Sequence, residues 1–249
     1  MIQSLRRLRA CSVSAQLYLA SVAATAVLLG AGLPDARAIT IRHDVQDSQY
    51  LAAGQNPAFG SVGLFLRLEN TGTTVLEVPF ASAVLIGDSW VLTAAHNVEG
   101  MSGFAVRWET PDGQIVQRTA VEWFTHPNWT GDPETGYDLA LLRLESPATP
   151  IAPTPLYLPG DGSELGKLGW MVGYGATGTG LTGYYPSTLA KRAATNVIDE
   201  IRDFGVLGVD FDHPDDVAYS KIGDPIATAM EGLAVPGDSG GGMFIEVEG

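Results

Sequence analysis

From Ile39 onward the chain alternates between short apolar runs and clusters of turn-forming residues. The runs are VGLFLRLEN (62–70), SAVLIG (82–87), SWVLTA (89–94), FAVRWE (104–109), QIVQRTAVEWF (114–124) and DLALLRLE (138–145). All are rich in β-branched and aromatic residues, which suit a pleated, half-buried surface. Between them lie NTGT, GDS, TPDG and NWTGDPETG, whose Gly, Asn, Asp and Pro set turn geometry. Short strands at this spacing predict an all-β fold of antiparallel barrels or sandwiches. Glycine and proline recur too often for long helices. The one notable helix-like stretch precedes Ile39.

Proline then divides the pattern. Pro147, Pro150, Pro153, Pro155 and Pro159 crowd into ESPATPIAPTPLYLPGDG (145–162). Proline lacks the N–H that a central strand needs, so this stretch predicts an extended connector. The expected layout is a first β-barrel over 39–147, a linker over 148–162 and a second unit over 163–249. Strands resume there with KLGWMVGYG (167–175), KRAATNVIDEI (191–201) and GGMFIEVE (241–248).

The first 38 residues follow a different logic. Arg6, Arg7 and Arg9 precede an uncharged Ala/Leu/Val stretch from Leu17 to Leu33, and Ala36-Arg37-Ala38 offers small residues at both recognition positions of a signal peptidase. This order predicts a cleaved secretory signal, and hence a protein that meets a membrane only during export. An uncleaved anchor is the competing reading. Cys11 precedes the apolar stretch, which argues against a lipoprotein. It is also the only cysteine, so the exported part has no disulfide and depends on packing.

Charge narrows the partners. The full chain carries 14 basic and 28 acidic residues, a net charge of -14; without residues 1–38 it loses four arginines and Asp35 and reaches -17. Such a chain repels phosphate backbones, so nucleic acid is an unsuitable partner.

Three segments carry candidate chemistry. WVLTAAHNV ends a strand at His96, GYDLALLRL opens one at Asp138, and PGDSGGG sets Ser239 in a glycine-lined turn. A serine hydroxyl needs a base to become a nucleophile at neutral pH, and imidazole has the right proton affinity. A carboxylate then fixes the imidazole tautomer and stabilises the cation that forms. The N–H groups of Gly237 and Ser239 are the candidate donors to a developing oxyanion, and Gly237 carries no side chain to limit their aim. An esterase of the α/β type would place its serine before its histidine, an order not found here.

Together LTAAH, DLALLRL and GDSGGG resemble the signatures of the trypsin/chymotrypsin-like serine endopeptidases, with lesser echoes in THPNW (125–129) and VGYG (172–175). The resemblance runs from about Val62 to the end of the chain. It implies two antiparallel β-barrels with the site between them, His96 and Asp138 from the first and Ser239 from the second. It also implies peptide or protein substrates, no cofactor, a monomer, a structural ion pair at Asp238, and Leu233 at the base of the S1 pocket. An apolar residue there points to apolar or small side chains before the scissile bond. A protein of the same fold that binds a partner without catalysis is the alternative.

Three departures accompany the resemblance. No IVGG-like start precedes Val62, where the chain reads SQYLAAGQNPAFGS; the amino group of Ile39, freed by signal cleavage, is the candidate partner of Asp238. The family's cysteines are absent. Only ten residues follow Ser239, so the second barrel is expected to be incomplete, as in a C-terminally truncated chain.

Other polar residues read as structural. His43, His126 and His213 show no metal-ligand spacing. The acidic run Asp210, Asp212, Asp215 and Asp216 lacks the spacing of a calcium loop and reads as solvated. Trp90, Trp108, Trp123, Trp129 and Trp170 read as core or loop anchors.

Overall fold

The computed structural model describes residues 8–12, 39–185 and 189–247. The apolar stretch Leu17 to Leu33 and the Ala36-Arg37-Ala38 site, read above as an export signal, lie outside those residues. Of residues 1–38 the described part is β1 (Leu8–Ser12), a strand.

In chain order there follow β2 (Thr40–Ile41), α1 (Asp47–Gly54), β3 (Val62–Asn70), β4 (Val75–Gly87), β5 (Trp90–Thr93), β6 (Phe104–Glu109), β7 (Ile115–Thr125) and β8 (Ala140–Leu144). Strands β3 to β8 close into a barrel in the order β3-β4-β5-β8-β7-β6. Inward residues fill it: Phe65, Phe104, Val106, Trp108, Leu142 and Leu144 are almost wholly buried in one cluster. Indole has a polar atom that burial must satisfy, and Trp108 Nε1 donates to Ser61 O at 2.9 Å.

The strand β4 is longer than the apolar pattern predicts, beginning at Val75 instead of Ser82. The reason is a bulge. Phe65 pairs with Ala81 but Leu66 with Pro79, so Phe80 is the extra residue. Pro79 sits at this irregularity, where a strand tolerates its missing N–H.

The second half carries β9 (Leu168–Gly173), β10 (Thr177–Thr179), β11 (Gly183–Tyr185), β12 (Arg192–Val197), β13 (Glu200–Ile201), β14 (Leu207–Gly208), β15 (Gly232–Leu233) and β16 (Gly242–Glu246). They form open sheets, ordered β1-β16-β9-β12, β11-β10-β2-β15 and β13-β14. The fold is thus all-β, with one closed barrel and further sheets beside it.

The two halves share a core. Val62, Leu64, Leu66 and Val84 of the barrel pack with Val172, Ala193 and Phe244 of the second half. The proline-rich stretch forms no named strand and runs along the barrel, with Thr154 N–H donating to Leu85 O at 2.9 Å.

The helix α1 was not expected from the sequence. It has only eight residues, of which Tyr50 and Gly54 are buried. It packs on β12, and a Cβ at Gly54 would lie 2.4 Å from Lys191 O, so the close approach requires glycine.

Candidate active site

The strand β5 runs out of the barrel into a short 3-10 turn, Ala95–Asn97, whose Ala95 and Asn97 are buried. That anchoring leaves His96 at the mouth, with its side chain 39% exposed. Asp138 is presented two residues before β8 begins. Its neighbour Tyr137 has φ 60°, a left-handed conformation costly for a bulky residue. The strained backbone is held by Leu139 N–H on Tyr137 O at 2.7 Å. His126 stacks on the Tyr137 ring at 4.7 Å, which gives that loop histidine a packing role.

His96 and Asp138 meet with both oxygens engaged. His96 Nδ1 lies 2.6 Å from Asp138 Oδ2, and His96 backbone N–H donates to Asp138 Oδ1 at 2.9 Å. The Asp138 side chain is only 2% exposed. A buried carboxylate bonded this way fixes the ring and favours a proton on Nδ1, turning Nε2 into the free base.

Ser239 lies in the same cavity. This space of about 270 Å³ is lined by His96, Asp138, Ser239, Met171, Val235 and Pro133 among others. The turn that carries Ser239 is pinned to the barrel. Ser82 N–H and Asn97 Nδ2 both donate to Ser239 O, at 3.0 and 2.9 Å. Ser82 Oγ donates to Gly237 O at 3.0 Å. Gly237 and Gly240 have φ 94° and 81°, conformations that favour glycine.

Asp238 points inward from this turn. Its Oδ2 accepts the N–H groups of Ile39 and Val235 at 2.9 and 3.0 Å, and its Oδ1 accepts that of Gly175 at 2.8 Å. Burial pushes its acid up to about 6, against the pull of those three bonds and of the Arg192 charge. Three neutral donors therefore do not offset the burial of this carboxylate. Ile39 is itself strained, a β-branched residue at φ 55°.

Leu233 is half-buried in β15, and its side of that strand opens on a different space. This second cavity, of about 790 Å³, is lined by Leu233, Arg42, Phe211, His213, Tyr219 and Ile222 among others. The acidic run divides: Asp215 and Asp216 are exposed, while Asp210 and Asp212 are buried. Burial and the Asp210 charge push Asp212 up to about 6. Among the described residues, no group of three His, Cys, Asp or Glu is placed to hold a metal. No helix among them is long and apolar enough to cross a membrane.

Ser82, Asn97 and Thr93 went unremarked in the sequence. Thr93 Oγ1 donates to Ser82 O at 2.9 Å and accepts from Asn97 Nδ2 at 3.0 Å, so the three form one brace under the Ser239 turn. Asn97 follows His96 directly, the only hint the sequence offered.

The His96–Asp138 pair and the glycine-lined turn of Ser239 thus border one cavity at the barrel mouth. Comparison then places the chain: the family model described as Trypsin matches residues 53–248, and the chain belongs to that family. It is 34% identical over 146 residues to complement C1s subcomponent of Sus scrofa, covering 51% of this chain and 20% of that protein. With a calcium-dependent serine proteinase of Mesocricetus auratus it shares 39% over 120 residues, or 41% of this chain and 17% of that protein. With snake venom serine proteinase 14 of Crotalus adamanteus it shares 36% over 135 residues, or 53% and 50%. The chain thus matches about a fifth of the length of the first two relatives and half of the third.

Proposed function

We propose that the chain is a secreted, bacterial-type serine endopeptidase that cleaves peptide bonds through an acyl-enzyme on Ser239. The observation that carries this reading is the His96–Asp138 pair at 2.6 Å, opening on the cavity that also holds Ser239. His96 takes the Ser239 proton as the hydroxyl oxygen attacks the substrate carbonyl. Asp138 stabilises the imidazolium so formed, which then protonates the leaving amine. Water repeats the sequence on the acyl-enzyme. The N–H groups of Gly237 and Ser239 receive the oxyanion, each contributing roughly 3–4 kcal/mol to the transition state.

Residues 1–38 act as the export signal, 39–147 and 163–249 carry the two halves of the site, and 148–162 connect them. The working form is a monomer, and its substrates are peptides or proteins. Cleavage after Ala38 frees the Ile39 amine as the counter-ion of Asp238. Two features support this step: the incompletely compensated acid, and the strained φ of Ile39, an angle that exists only while the Ala38–Ile39 bond is intact. In a peptide-hydrolysis assay of the exported protein, Ser239→Ala and His96→Ala each abolish turnover above background. Retained turnover in either variant rejects the mechanism.

A further inference from the structure

We propose that α1 is a latch for the amino-terminal segment, with Tyr50 and the Asp47–Arg192 pair as positioning residues for the Ser239 turn. This rests on the reading of Ile39 as the partner of Asp238. The helix lies in the stretch that departs from an IVGG-like start, and its contacts converge on the segment that carries Ile39.

Tyr50 is fully buried and clusters with Ile39, Ile41 and Ala194. Its hydroxyl accepts the Arg42 N–H at 3.3 Å and donates to Glu231 O at 3.0 Å. One side chain thus ties the segment after Ile39 to the residue preceding β15. Arg42 Nη1 adds a bond to Thr228 O at 2.7 Å. The segment is further held as β2, between β10 and β15. The ring of Tyr50 therefore forms part of the apolar wall around Ile39, and its polar end fixes the chain's exit from that pocket.

Asp47 acts on a second point. Its two oxygens take Arg192 Nε and Nη2 at 2.7 and 2.8 Å, a bidentate pair in which the guanidinium is 3% exposed. A buried guanidinium needs its carboxylate, and Arg192 pairs with Gly173 of β9, two residues before the Gly175 whose N–H binds Asp238. With Asp47 in place, Arg192 is neutralised on the helix side, and Asp238 is left to the Ile39 amine. Without Asp47, Arg192 is a buried cation without its carboxylate, in the strand paired with the end of β9 that leads to Gly175 and Asp238.

The test uses the full chain, exported with its leader, as Tyr50→Phe, Asp47→Asn and Asp47→Glu variants. An acylating active-site titrant counts competent molecules, and kcat per titrated site and KM are measured alongside. Loss of one neutral hydrogen bond predicts a titratable fraction about fivefold lower in Tyr50→Phe. Loss of the partly exposed carboxylate predicts a fall of about tenfold in Asp47→Asn, with Asp47→Glu restored to within about twofold of the parent. KM and kcat per titrated site stay at the parent values. In a parallel Ser239→Ala background, hydrogen exchange accelerates at residues 40–42 in Tyr50→Phe and Asp47→Asn, ahead of the barrel strands. The proposal is overturned if both variants keep the parent's titratable fraction and exchange, or if exchange rises evenly along the chain. Should the parent never react with the titrant while the local exchange pattern appears, the protease reading fails and the latch stands.

Discussion

Adding a single glycine ahead of Ile39 in the exported protein moves the amino group out of its pocket and leaves a neutral amide N–H facing Asp238. At the observed 2.9 Å, a full ammonium–carboxylate attraction is roughly 6 kcal/mol gross at an effective dielectric near 20. Desolvation offsets part of this, and removing one partner of a buried pair costs about 3–5 kcal/mol. The ratio of competent to incompetent Ser239 turn should therefore fall by roughly a hundredfold to a few thousandfold. Active-site titration reads the population directly, and turnover per titrated site should not change. The pH profile gives an independent check. An amine paired with a carboxylate has its pKa raised above the ordinary value of about 7.7–8.0, so activity holds below that raised value and is lost as pH climbs through it. The extended protein has no such amine and should lose this alkaline limb. Equal titration and an identical alkaline limb in the two proteins would show that the Ile39 amine does not hold Asp238.

Two further predictions concern buried ionisable groups outside the site. Burial pushes Glu231 from 4.5 up to about 7, so the folded state binds the extra proton and stability falls as pH rises from 4.5 to 7, by on the order of 3 kcal/mol. Denaturant titrations of Glu231→Gln should show most of that slope removed; an unchanged slope contradicts the assignment. Burial lowers Lys191 from 10.5 to about 8, its ammonium being held by Phe59 O at 3.1 Å. Here the unfolded state binds the extra proton, so stability rises between pH 8 and 10.5, again by on the order of 3 kcal/mol. Lys191→Met should lack this rise, and a variant that keeps it would show that another group is responsible.

The barrel strands were legible because side-chain type and turn chemistry agree along them. Both β3 (Val62–Asn70) and β6 (Phe104–Glu109) fall where their apolar runs place them. The early part of β4 was missed because Pro79 reads as a breaker, and only the bulge at Phe80 reconciles it with a strand. α1 was missed for a related reason: eight residues with one large buried side chain carry too little periodicity to announce a helix. The three chemical motifs could be read from local sequence, whereas their supports could not. Ser82 and Asn97 act on Ser239 O across 157 and 142 residues of chain, one through its backbone N–H and the other through its side-chain amide, and such long-range bonds leave no local pattern. The Tyr50 hydroxyl reaches Glu231 O across 181 residues in the same way. The expectation for Ile39 came from asking what could neutralise a buried Asp238; in the structure the Ile39 N–H lies 2.9 Å from its Oδ2.

The most direct measurement is peptide mapping by mass spectrometry after the exported protein reacts with a serine-directed fluorophosphonate. One adduct is expected, on Ser239, absent in Ser239→Ala and slowed at least about a hundredfold in His96→Ala, where the base is lost. A folded protein that takes up no probe, or takes it elsewhere than Ser239, would contradict it.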